Sequence, residues 1–425
     1  MVIVMDHIIV DSDVDPGESS FDYGYVEPLV LDEDSCKDPE DVIVCRQVVT
    51  ADGTRKLYGL INGFRNGHSV SEFVGKELLT RILYNNKLAK SDMDDPVMQF
   101  DPIVKNVMNK AFLDIDADYF SSQIDSVLAA RMQIKLAADE EMTADNFEKL
   151  SEADEKISGG AVAVIALIIY RSLYVANCGN SVAILVKQST DPNDLNAFQV
   201  SELHENHEIK EIERLHRLGL DPMRIFGPSR CFGDYFRKGG YKENPALQHA
   251  QNEPVCVDPA IFGGIEIDNS YCFLLLLSPG LVQAVLNIET ERKVSEYVTQ
   301  LLINHMNDAK SIKGAVQNVL QSISNDLKMK MEMKNCQPPK SSLSMMMIPL
   351  SDHILDLINP IDGTDRAVKT QSTSTGFIES YVDFSEYFAD TPQAQDLRNS
   401  IVARIESLKQ LYKDKKRLLH AISED

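Results

Sequence analysis

Residues 159–187 constrain the fold more than any other stretch. They read GGAVAVIALIIY, a bend at Arg171-Ser172, LYVAN, the turn CGN, and then SVAILVK. A continuous apolar run bounded by turn residues fits a central strand buried on both faces, although periodicity alone leaves a buried helix open. The run is also too short for a bilayer span of about 20 residues.

The flanking segments supply layers to cover such a strand. DVIVCRQVV (41–49) and RKLYGLI (55–61), joined through Asp52-Gly53, read as a hairpin. In residues 68–86, Val70, Phe73, Val74, Leu78 and Ile82 recur at spacings of three and four, the mark of an amphipathic helix. Residues 102–150 are helical in period. YCFLLLLS (271–278) reads as another strand, helices are expected at 281–287, 294–308 and 311–331, and SSLSMMMIPL (341–350) as a last strand. This order predicts an α+β layered domain rather than a βαβ repeat.

Charge and cysteines narrow the setting. The 425 residues carry a formal charge of −23, and residues 1–45 alone hold 13 Asp/Glu against Lys37. Residues 1–40 are therefore expected to be a mostly disordered acidic tail. No basic patch suits duplex binding, so nucleic acid is not an expected partner. Seven scattered cysteines without a CxxC pair fit free thiols in a reducing compartment. The N-terminus lacks the basic flank of a signal peptide. A soluble cytoplasmic protein is the expectation.

Two local motifs fail on chemistry. DSDVDPGESSFD (11–22) has the acid spacing of a calcium loop, but Pro16 stands where the sharp turn needs glycine. HENHE (204–208) matches no zinc-protease order and lacks a third strong ligand. No phosphate loop or nucleophile elbow occurs. No cofactor is expected.

A third set is informative by its order. LYGLINGFRNG (57–67), ISGGAVAVIALIIYRSLYVANCGNSVAIL (157–185), LHENHE with IERLHRLGL (203–220) and CFLLLLSPGLVQAVL (272–286) resemble the type-2C metal-dependent serine/threonine protein phosphatases over about residues 41–350. The resemblance implies a β-sandwich of two sheets flanked by helices, αββα in layers. It also implies two divalent cations that generate hydroxide for attack on phosphate, held by anionic oxygens.

The departures bear on that chemistry. The family's bridging Asp aligns with Asn62; Gly63 is kept, but the following His-Gly is Phe64-Arg65. The Asp of the Gly-Asp-Ser turn is Asn180, and that of the Asp-His pair aligns with Asn206. The Ser-Asp-Gly ligand is Pro279, and the final Asp falls near Leu343. The family's first arginine and acidic ligand find no match in residues 11–35. Each lost carboxylate leaves a dication short of about one compensating charge. A catalytically inactive pseudophosphatase without bound metal is expected. The alternatives are an active or residual metal-dependent phosphatase, and a domain that shields phosphorylated substrates.

Beyond the domain (41–352), residues 353–378 are expected to form a linker and 379–425 a helical tail. Phe377, Tyr381, Phe384 and Phe388 make one aromatic stripe, with Ser380 and Asp383 placed as a capping box. From the residues alone the stripe docks either on its own domain or in a partner's groove. Tyr-Val-Asp-Phe behind a degraded phosphatase domain resembles pseudophosphatase adaptors that bind and activate the TGF-β-activated kinase, a MAP kinase kinase kinase. The resemblance implies kinase binding through Tyr381, Val382, Asp383 and Phe384, supported by Tyr387 and Phe388. Leu397, Ile401, Ile405, Leu408, Leu411, Leu418 and Ile422 continue as an apolar stripe. It suits further kinase contact, a coiled coil, or packing on its own domain.

Overall fold

The computed structural model describes residues 8–9, 24–25, 41–50, 53–89, 100–138, 143–189, 195–306, 312–333, 339 and 342–351. The calcium-loop-like motif at 11–22, the linker, the aromatic motif with Tyr381, Val382, Asp383, Phe384, Tyr387 and Phe388, and the C-terminal stripe lie outside the described residues.

The hairpin is β3 (Asp41–Thr50) and β4 (Gly53–Phe64), paired antiparallel from Thr50↔Gly53 to Asp41↔Asn62. Gly53, at φ +132°, opens the second strand instead of sitting in the turn, which shifts the expected Asp-Gly turn back by one residue. The apolar run is β5 (Gly160–Ile169), a strand and not a helix, paired with β4 on one side and β6 (Ser172–Cys178) on the other. Its turn is Tyr170-Arg171, one residue earlier than the sequence suggests, and both residues have positive φ (50° and 67°).

With β1 (Ile8–Ile9) and β2 (Gly24–Tyr25) counted first, the later strands are β7 (Val182–Gln188), β8 (Leu195–Gln199), β9 (Phe232–Gly233), β10 (Ala260–Glu266), β11 (Tyr271–Leu277) and β12 (Met345–Pro349). They form two sheets, in orders β1-β3-β4-β5-β6-β10 (with β9 on β5) and β2-β12-β11-β7-β8.

Strand alternation sorts the core into three layers. Ile43, Cys45, Tyr58, Leu60, Val164 and Ala166 of the first sheet face Ala183, Leu185, Leu274, Leu276, Met346 and Ile348 of the second. The first sheet's outer face is covered by α1 (His68–Leu83) and α2 (Phe100–Tyr119), with Val70, Val74, Leu78 and Ile82 buried as their spacing predicts. A π-helical turn (Phe120–Ile124) follows, then α3 (Asp125–Ala138) and α4 (Ala144–Ser158). The second sheet's outer face packs on α6 (Pro279–Ile288), α7 (Val294–Met306) and α8 (Ile312–Glu332), with the short α5 (Ile209–Arg217) in the excursion between β8 and β10. The result is αββα. Among the described residues no helix is long and apolar enough to cross a membrane.

Candidate functional site

The inward-facing stripe of the sandwich ends in polar residues at one mouth. On β4 the inward positions run Tyr58, Leu60, Asn62; on β3 they run Cys45, Ile43, Asp41. Beyond Leu276 and Met346, the same alternation brings in Ser278 and Ser344. Asp41 and Asn62 are each only 2% exposed.

Asp41 is the centre of this cluster. The Asn62 side-chain amide donates to Asp41 Oδ1, and the Ser344 hydroxyl donates to Asp41 Oδ2. Ser278 Oγ donates to the Ser342 carbonyl (2.8 Å) and accepts the Ser344 N–H (2.9 Å). It also accepts the Leu281 N–H (3.3 Å), which makes Ser278 the N-cap of α6. Pro279 follows at the first helical position, where its missing N–H costs nothing. Gly63 lies in the ladder opposite Ala161.

Past Gly63 the chain turns through Arg65 and Asn66, both left-handed (φ 59° and 57°). The Phe64 ring fills the space over Gly160, where an added Cβ would sit 2.5 Å from Phe64 Cζ. Arg237 lies 5.7 Å from the centre of that ring. Arg237 is buried, pairs with Asp234 at 2.5 Å, and donates to the Phe226 and Pro228 carbonyls. Arg65 reaches the same Asp234 carboxylate at 3.5 Å. A second buried pair, Lys238–Asp116 at 2.6 Å, ties this segment to α2, and Asp116 also accepts the Gly233 N–H. Burial alone would lower the Lys238 ammonium, but Asp116 outweighs it and holds the charged form.

The remaining sequence-predicted positions sit elsewhere. Leu343 is fully buried in the outer core with α6–α8, and the neighbouring Ser344 is the residue that bonds to Asp41. Asn180 donates to Glu205 (2.8 Å) and Asn206 to the Ile225 carbonyl (3.0 Å), neither bonding to the Asp41 cluster. His204, not Asn206, is bound to the Gly179 turn: its Nδ1 accepts the Gly179 N–H at 3.1 Å. His204 is fully buried, its Nε2 has no hydrogen-bond partner, and burial, with the nearby Arg230 charge, pushes it down to about 3. Next to it Glu211 accepts from Arg230 (2.6 Å), Arg214 (2.9 Å) and Ser229 (2.7 Å). Burial would raise this carboxyl, but the two arginines win and hold it down to about 2. Among the described residues, Cys45, Cys178, Cys231, Cys256 and Cys272 are free thiols, as the spacing suggests.

The comparisons agree with this geometry. Residues 64–321 match the family model for protein phosphatase 2C. The chain belongs to the protein phosphatase 2C family. A serine-threonine phosphatase 2C from Toxoplasma gondii shares the fold, with a TM-score of 0.52 at 12% identity over 78% of this chain and 95% of that one. A Caenorhabditis elegans protein named TGF-beta-activated kinase 1 and MAP3K7-binding protein 1 is 31% identical over 267 residues. That match takes in 62% of this chain and 64% of the relative, just under two thirds of its length.

The phosphatase 2C resemblance implies a pair of divalent cations at this mouth, and the described residues there do not fit them. Among the described residues the donor set is one carboxylate, one amide and two hydroxyls, and the carboxylate already accepts from the amide and from Ser344. Two hard dications need several anionic oxygens, at least one of them bridging. Among the described residues, no group of three or more His, Cys, Asp or Glu could hold a metal ion.

Asp41 is the site residue that the sequence reading missed, and the hairpin contains the signal for it. With a two-residue loop closed by Thr50↔Gly53, facing residues have numbers that sum to a constant, and Asn62 must face Asp41.

Proposed function

We propose that this chain is a catalytically inactive phosphatase 2C-type adaptor. On this proposal it binds and activates a MAP kinase kinase kinase of the TGF-β-activated type through its C-terminal aromatic segment. The observation that carries the first half is the Asn62–Asp41–Ser344 cluster: among the described residues, a neutral amide and a hydroxyl donate to Asp41 where the resemblance expects further carboxylates. The name of the C. elegans relative supports the second half, together with Tyr381, Val382, Asp383 and Phe384 at the end of the chain.

In mechanism, the segment carrying Phe384 binds the active kinase conformation more tightly than the inactive one, so that autophosphorylation is favoured by population shift. Tyr387 and Phe388 flank the anchor. Kinase captured by the full chain is expected to be lost with Phe384→Ala, since a buried aromatic anchor contributes about 2 kcal/mol or more. Undiminished capture and activation by that variant would overturn the proposal. Residual metal-dependent hydrolysis is the alternative, and buried Asp41 is what favours it. It requires Mn²⁺- or Mg²⁺-dependent turnover of a phosphoserine peptide by the purified protein, a turnover abolished by Asp41→Asn.

A further inference from the structure

The excursion between β8 and β10 leaves apolar side chains uncovered. Among the described residues, three of the four most exposed large apolar side chains belong to it: Ile209 (73% exposed), Met223 (70%) and Phe226 (76%). They come from two places in the chain, the first residue of α5 and the short helical turn Pro222–Arg224 with its exit. The Asn206 side-chain amide donates to the Ile225 carbonyl at 3.0 Å and draws the two together. Ile225 itself turns inward to a small core with Leu215, Leu220 and Leu247, while Met223 and Phe226 on either side stay exposed.

Two observations separate this patch from singly scattered surface residues, which need no explanation. First, its backbone is pinned. Asp221 Oδ1 accepts the Met223 N–H (3.0 Å), and the Asp221 and Pro222 carbonyls accept the Arg224 and Ile225 N–H groups (3.0 and 3.1 Å). Buried Arg237 donates to the Phe226 and Pro228 carbonyls (3.0 and 2.8 Å). The exposed side chains therefore stand on fixed backbone, and covering them costs little further ordering. Met223, Arg224 and Phe226 are also of the three kinds, Met, Arg and aromatic, that protein interfaces favour.

Second, the surrounding charge cancels. The protein carries −23 overall, yet residues 208–226 hold four Asp/Glu and four Lys/Arg. Arg224 lies between Met223 and Phe226, and Glu208 adjoins Ile209. Among the described residues Arg224 has no side-chain partner, and Glu208 meets only the exposed His207 ring, at 3.8 Å. Asp221 is turned to the Met223 N–H. A partner of one dominant charge finds no complement in such a surface. A twofold contact between two copies does, because it sets the cation of each against the acid of the other. Local neutrality also lessens the repulsion between two chains of −23.

We propose that this patch joins two copies of the chain in a symmetric dimer. Ile209, Met223 and Phe226 of each copy cover those of the other, and Arg224 of each pairs with Glu208 of the other. The contact uses none of the Asp41 cluster and is independent of the kinase-binding proposal.

Analytical ultracentrifugation of the full chain at concentrations up to about 100 μM tests this. A concentration-dependent equilibrium between monomer and dimer is expected. Met223→Ser with Phe226→Ser should raise the dissociation constant about a hundredfold or more, since a twofold contact loses each anchor twice. Arg224→Glu and Glu208→Arg should each raise it about tenfold or more by setting like charges against each other. An equimolar mixture of those two variants should dimerise as the native chain does, because each mixed pair restores both ion pairs. All four side chains lie outside the core, so the variants are expected to keep their fold, and a thermal melt verifies that. A native chain that stays monomeric, a dimer undiminished in the folded variants, or a mixture that does not recover overturns the proposal.

Discussion

Asn62→Asp tests the electrostatics of the cluster around Asp41. Asn62 donates to Asp41 in a site where both residues are 2% exposed. The substitution replaces a donor by a second carboxylate against the first. Two unit charges about 4 Å apart repel by about 4 kcal/mol at an effective dielectric constant of 20. Divided by about 1.4 kcal/mol per pH unit, that raises one carboxyl of the pair by about three units, from about 3.9 to about 7.

The sign follows from linkage. Between those values the folded variant holds a proton that the unfolded chain has released, so its stability falls as pH rises from about 4 to 7 and is flat above. Native Asn62 brings no such slope. The same pair of carboxylates now attracts a dication. At a hundred times its dissociation constant, Mn²⁺ returns about 2.7 kcal/mol. Urea unfolding at pH 5 and pH 8, with and without Mn²⁺, reads all of this. The variant should be destabilised by about 4 kcal/mol at pH 8 and rescued by Mn²⁺, while the native chain is indifferent to the ion. A native chain stabilised by Mn²⁺ as strongly as the variant would refute the account of the cleft.

Other outcomes follow from the buried charges. Asp116→Asn leaves Lys238 buried without its counter-charge and should cost about 3–5 kcal/mol, whereas Asp116→Leu with Lys238→Met should cost less, about 1–3 kcal/mol for the orphaned Gly233 N–H; equilibrium denaturation compares them. His204 is depressed to about 3 and Glu211 to about 2 in the fold. Each therefore contributes stability that is complete above its unfolded value and lost as pH falls toward its folded one. Stability should decline by about 1.4 kcal/mol per pH unit from His204 below about 6.5, and more steeply below about 4.5 where Glu211 joins. His204→Gln should flatten the upper segment of a stability–pH curve, and an unchanged slope there would contradict the assignment. Gly160→Ala drives a Cβ to 2.5 Å from Phe64 Cζ and should lower the melting temperature by several degrees; Phe64→Leu alongside it should recover part of the loss.

Much of the molecule could be read locally. The run from Gly160 to Ile169, the stripe from Val70 to Ile82 and the hairpin at 41–64 obey short-range periods, which sterics and alternation enforce wherever the segment lies. Asn62 and Pro279 stood out because a missing oxygen shows in a motif without any coordinates. A motif alignment does not register strand parity, which sends Leu343 outward to the helices and Ser344 inward to Asp41. The arginine and lysine partners Asp234–Arg237 and Asp116–Lys238 left no trace in composition, since a buried charge looks like a solvated one until its surroundings are known.

The residues alone thus decide which segments are strands and helices, and which expected carboxylates are missing, because both depend on neighbours a few positions away. The tertiary structure alone decides what stands in their place. Asp41 and Ser344 are 303 residues apart in the chain and meet only because two sheets stack with their inward faces in register. The cavity lined by Lys56, Ile168, Tyr170 and Leu350 depends in the same way on β4, the β5–β6 turn and the end of β12 closing around one space. Contacts of that range are set by how layers pack, and no local period encodes them.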